Sequence, residues 1–135
     1  MDALTLIVAS GMAATIMAAA MAMLYRASSG AAGLLDWSFA GLLFLASNIV
    51  ACYAAVSGRH ELFIPATGNA LYVAGHFAIG AGLRRHLGRP TRYGVLVGIA
   101  ALVVALHWLP FAQQAVANRL MLFTPIIVAI NFSVV

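Results

Sequence analysis

The sequence predicts an all-α, polytopic membrane helical bundle of five apolar spans, the fifth truncated, and three observations lead there. Hydrophobic residues fill 64% of the 135 positions and charged ones only 7%, where a soluble domain carries about a quarter charged residues. The apolar residues fall into five long runs divided by short stretches of Gly, Ser, Pro and Arg. The three acids, Asp2, Asp36 and Glu61, all stand at run ends, outside the hydrocarbon where a carboxylate is costly.

Span one, about 4–24, is rich in Ala and Met, and Gly11, Ala14, Ala18 and Ala22 give it an edge of small residues that another helix can approach closely. A cleaved secretory signal fits poorly, because the n-region holds Asp2 and no base, and the apolar run from Ala3 to Tyr25 exceeds the roughly 7–15 residues of such a segment. After Tyr25-Arg26 and the loop ASSGAAG, Asp36-Trp37 opens span two, about 34–56, with an acid and an interfacial aromatic. Span two holds Ser47, Asn48 and Cys52. A lone cysteine in an apolar run reads as a small buried hydrophobe and supplies neither a disulfide nor a CxxC site.

Span three, about 62–83, carries Pro65 in its first turn, where a missing N–H does little harm. Gly68, Gly75 and Gly82 recur every seven residues and keep one side bare for helix packing, and Asn69 and His76, also seven apart, share a face. Span four, about 93–109, has Gly94 and Gly98 in GxxxG spacing and closes on His107-Trp108-Leu109-Pro110, a helix end expected at the headgroups. A polar turn through Gln113, Gln114, Asn118 and Arg119 precedes the fifth run, about 120–135, which includes Pro125 and Asn131. Its sixteen residues reach about 24 Å at ~1.5 Å each, short of a hydrocarbon core of roughly 30 Å, so the run is expected to be cut inside a span, a naturally short or tilted-in last helix being the alternative.

The seven basic residues are all arginine. Arg26, Arg84, Arg85, Arg89 and Arg92 follow spans one and three, whereas the opposite loops hold only Arg59 and Arg119, so the positive-inside rule puts the N-terminus outside and the exit from span five in the cytoplasm. The formal charge of +4 is thereby explained by orientation, with no nucleic-acid partner implied; the Arg84–Arg92 cluster also suits anionic membrane lipid.

No catalytic residues are expected. HExxH, Walker A and GxSxG patterns are absent, and no carboxylate pair is placed for acid–base work. Histidine is the one metal-capable type, yet His76 is mid-span while His60, His86 and His107 lie near ends; His60 and His107 share a depth, which permits a pair without implying it, and no metal or cofactor is expected. The remaining candidates for ligand sensing are Asn69, Tyr72 and His76, facing Asn48 of span two; interhelical hydrogen bonding alone also explains them.

The order of these features resembles the N-terminal multi-span membrane region of bacterial GGDEF-type diguanylate cyclases. It rests on Leu24-Tyr25-Arg26, on the Trp-led Leu35-Asp36-Trp37-Ser38-Phe39-Ala40-Gly41-Leu42-Leu43, on Gly68-Asn69-Ala70-Leu71-Tyr72-Val73-Ala74-Gly75-His76, and on Gly82-Leu83-Arg84-Arg85-His86-Leu87-Gly88-Arg89-Pro90. The last is similar to the family's GLRRFLGRP segment, with His86 at its aromatic position. The resemblance implies an inner-membrane sensor or anchor, a homodimer formed through the parent protein, and a cytosolic domain making cyclic di-GMP that these 135 residues do not contain. Gly94/Gly98 or Gly68/Gly75/Gly82 are then candidate dimer contacts, or simply pack the chain's own helices. A small-molecule transporter or channel, or a structural subunit of a membrane complex, stays open as an alternative.

Overall fold

The computed structural model describes residues 2–59 and 61–132, which form six α-helices and no strand. Helix α1 (Ala3–Ala27) starts at Asp2, whose Oδ1 accepts the Thr5 N–H at 2.7 Å. Helix α2 (Leu34–Ser57) stops at Gly58 in the left-handed region, φ +67°, where glycine ends a helix without strain. Helix α3 (Phe63–His86) is followed by α4 (Tyr93–Leu106).

The second half departs from expectation. Span four ends at Leu106, and after a turn at His107–Leu109 a short helix α5 (Pro110–Gln114) forms with Pro110 in its first turn, where proline has its φ pre-set and no N–H to satisfy. Helix α6 (Val116–Phe132) begins four residues before the expected Leu120, so Asn118 and Arg119, read as loop, are helical. Asn118 Nδ2 donates to the Phe111 carbonyl at 2.8 Å and so ties the first turn of α6 to α5. His60 and the end of the fifth run at 133–135 lie outside the described residues.

The helices pack in chain order, α1 on α2 and α2 on α3, with α4 and α6 on the far side of α3. Gly11, Ala14 and Ala18 are buried along α1, and Ser38 Oγ donates to the Ala18 carbonyl across the α1–α2 contact at 2.9 Å. On α3 the glycines face α2. A Cβ at Gly75 would sit 2.5 Å from Phe44 Cε1, and one at Gly82 would sit 2.5 Å from Trp37 Nε1; the missing side chains are the space those rings occupy. Gly94 and Gly98, by contrast, have nothing near a Cβ among the described residues, so they hold no helix of this chain.

Beyond α3, Val73, Val103, Phe123 and Ile130 make the buried apolar cluster that joins α3, α4 and α6. Many large aliphatic side chains elsewhere point outward: Ile16, Val56 and Val97 are 67%, 72% and 70% exposed. Helices α1 and α2 are long and apolar enough to cross a membrane, and α4 and α6 are apolar but shorter.

Candidate functional site

Helix α3 is the element around which the polar groups gather. Toward α2 it accepts two hydrogen bonds on backbone carbonyls, from Ser47 Oγ to Gly68 at 2.8 Å and from Trp37 Nε1 to Ile79 at 3.0 Å. Toward α4 and α6 it offers Asn69 and His76, on one face because 7 residues make about two turns. Asn69 Nδ2 lies 3.0 Å from His107 Nε2, and Asn131 Nδ2 lies 3.3 Å from His76 Nδ1.

His107 is the deepest of these groups. It was expected at the headgroups, yet it is fully buried, because the chain turns there and the ring packs between α3 and α6. Its Nδ1 is 2.8 Å from the Val103 carbonyl, and its ring stacks on Phe123 with centroids 4.7 Å apart. A carbonyl can only accept, so Nδ1 carries the proton and Nε2 takes the Asn69 N–H. Both ring nitrogens are thus engaged, which leaves no lone pair for a metal; His60, the other half of the suggested pair, lies outside the described residues.

The four sensing candidates do not converge. Asn48 turns away from α3: its Nδ2 donates to Ser10 Oγ on α1 at 3.2 Å and to the Phe44 carbonyl at 2.8 Å. The α2 surface that Asn48 was to share with α3 is filled by the Phe44 ring, which meets Tyr72 at 5.4 Å and His76 at 5.2 Å between centroids. Tyr72 and His76, with Ser10, Met17 and Phe44, line a shallow groove of about 320 Å³ between α1 and α3. Asn48 therefore reaches that groove only through Ser10, and Asn69 belongs to the separate junction with His107.

Near the Asn69 end the helices splay into a larger cleft of about 780 Å³. Ile7, Val50, Ile64, Leu120 and Phe123 supply apolar wall, and Ser47, Asn69, Gln113 and Arg119 supply the polar groups. The sequence reads Gln113 and Arg119 as parts of a polar turn, with Arg119 as an orienting charge, and gives neither a site role; the signal that marks them is an amide and a cation flanked on both sides by apolar runs. Gln113 Nε2 donates to the carbonyls of His107 and Trp108 at 3.3 and 3.2 Å and fixes the turn that forms one lip of the cleft.

The arginine-rich end is held differently. Arg85 Nη1 stands 3.3 Å from Asp36 Oδ2, an ion pair whose angle makes no hydrogen bond, while Tyr93 Oη donates to Asp36 Oδ1 at 3.0 Å and Arg85 Nη2 also meets Tyr93 Oη. Three helices are joined there: the start of α2, the end of α3 and the start of α4. Arg84 Nε donates to the Pro90 carbonyl at 3.1 Å, closing the loop. Beside it, a hollow of about 290 Å³ is lined by Phe77, Arg84, Arg92 and Val95. No family model, curated protein or solved structure matches this chain.

Proposed function

We propose that the chain is a five-span bundle in the bacterial inner membrane, N-terminus outside, and that it serves as the sensor or anchor region of a signalling protein whose cytosolic diguanylate cyclase domain it regulates. The observation that carries the membrane half is the inverted surface. Ile16, Val56 and Val97 point out, while the α1–α2–α3 contacts use buried Ala and Gly with hydrogen-bonded Ser, and Asn and His join α3 to the later helices beside a small apolar cluster. Water would not tolerate so much outward aliphatic surface, and hydrocarbon removes the penalty. The arginine distribution supports the orientation, and the hollow between Arg84 and Arg92 suits the phosphate of an anionic lipid.

The signalling half rests on the resemblance of the Gly82–Pro90 and Gly68–His76 segments to cyclase membrane regions, supported by the polar junctions on α3. These two junctions bond α3 to α4 and to α6, so a stimulus that shifts α3 acts on both helices leading toward the proposed cytoplasmic exit. The open faces of Gly94 and Gly98 suit a second copy of the chain.

Orientation is tested with reporter fusions after Gly58 and Gly88: alkaline phosphatase active at the first and green fluorescence at the second are expected, and the reverse overturns the topology with the signalling proposal built on it. Function is tested by reading the gene beyond the Val135 codon for a GGDEF sequence and measuring cyclic di-GMP in cells carrying Asn69→Leu with His76→Leu at equal expression. Unchanged output in a folded double variant rejects these residues as the sensing site.

A further inference from the structure

The 780 Å³ cleft at the Asn69 end joins two features that no interhelical contact explains. Arg119 lines it from the first turn of α6, half-buried, and its side chain makes no hydrogen bond or ion pair with any described residue. Its neighbours in the wall, Leu120, Phe123, Val50 and Ile64, are apolar. A guanidinium next to such surface is poorly solvated and gains strongly from an anion that bonds two of its N–H groups at once. The cleft is also of the size and make-up of a ligand site, mostly apolar with a few polar groups at one place.

We propose that this cleft binds an amphipathic anion, an acidic headgroup on an aliphatic chain, with the headgroup on Arg119 and the chain along Ile7, Val50, Ile64 and Phe123. The reading deepens the sensor proposal and rests on it for its biological meaning, though not for binding itself. Asn69 gives the headgroup a further donor, since only one of its two Nδ2 N–H groups is spent on His107, whereas the Ser47 hydroxyl proton is already donated to the Gly68 carbonyl. The ligand would also touch the α3 junction directly, because Phe123 both walls the cleft and stacks on His107, the partner of Asn69. The same chemistry is offered by a free fatty acid and by an anionic phospholipid.

The test uses the full chain in phosphatidylcholine nanodiscs, with decanoate titrated against a dansylated undecanoate probe and protein-free discs as the blank. Saturable displacement by decanoate is expected, with decanol, the same chain without charge, at least about tenfold weaker, and with Arg119→Gln weakening the probe by about tenfold or more. Arg119→Lys, which keeps the charge but not the two-point fork, binds between wild type and Arg119→Gln, and Arg26→Gln, exposed at the opposite end, leaves binding unchanged. Adding phosphatidylglycerol to the discs tells the sources apart: competition assigns the site to membrane lipid, and its absence to a free acid, either one supporting the shared chemistry. Equal binding of decanol, or wild-type probe affinity in a folded Arg119→Gln, overturns the proposal. None of these readings depends on orientation or on a cyclase, so failure here leaves the reporter fusions to decide the sensor reading, and the reverse.

Discussion

Asn69 and His107, 38 residues apart, meet at 3.0 Å, and the contact sits where the chain turns at the end of α4 and joins it to α3. The ring is completely buried, so losing its partner strands Nε2 in an apolar pocket. Asn69→Leu is expected to destabilise the bundle by about 1–2 kcal/mol, more than a mean interhelical bond of about 0.6 kcal/mol, because an unsatisfied acceptor is left behind. The double variant Asn69→Leu with His107→Leu removes both partners and should recover part of that loss. Unfolding in mixed micelles of dodecyl sulfate, run as a double-mutant cycle, measures the coupling; additive losses would mean the pair is not bonded.

The two glycine sets on α3 and α4 should behave oppositely. Gly75→Ala puts a methyl into the Phe44 ring, and the overpacking is expected to cost about 1–3 kcal/mol. Gly98→Ala meets nothing in the chain and should leave the thermal midpoint of the monomer unchanged or raised, since alanine is the better helix former. A thermal shift of the same sign and size for both would refute the packing assignment.

The contrast marks how far sequence alone carries. The first three helices are legible because long apolar runs, a capping acid and a glycine stop are local signals: α1, α2 and α3 start and end within about three residues of where the runs suggest. The second half is less so. Pro110 starts a new helix rather than ending structure, and the bond from Asn118 to the Phe111 carbonyl pulls Arg119 into α6. The α3 face bearing Asn69 and His76 follows from a seven-residue spacing, but its partners do not: Asn48 goes to Ser10, and the true partners, His107 and Asn131, lie 38 and 55 residues away. Such pairings depend on the order in which helices pack, which periodicity does not encode.

At the arginine-rich end, the Asp36–Arg85 pair should be asymmetric. The Asp36 side chain is only 12% exposed and the Arg85 side chain 42%, so removing the cation strands a carboxylate, whereas removing the carboxylate's charge leaves a guanidinium that reaches water. Arg85→Ala is expected to lower stability by about 1–3 kcal/mol, and Asp36→Asn by less than about 1 kcal/mol, because the amide oxygen still accepts from Tyr93. Equal losses from the two variants would show that the pair is solvated and contributes only as a surface bridge.

The start of α1 should respond to acid. The Thr5 N–H, bonded to the Asp2 carboxylate, holds its pKa below the ordinary value for an aspartate. A group whose pKa is lower in the folded state stabilises that state fully above its unfolded pKa and loses the effect as the pH falls through the folded one. The cap is therefore intact at neutral pH and is released only on acidification below the ordinary aspartate range. Carbon-13 labelling of the carboxyl in nanodiscs reads the titration directly, and the Thr5 amide should gain hydrogen-exchange rate over the same interval, beyond the intrinsic change with pH. Asp2→Ala should abolish that pH-dependent step and show frayed Leu4 and Thr5 amides already at neutral pH, while Asp2→Asn, which still accepts the Thr5 N–H, keeps the cap and loses only the titration. A Thr5 amide equally protected in Asp2→Ala would refute the capping assignment.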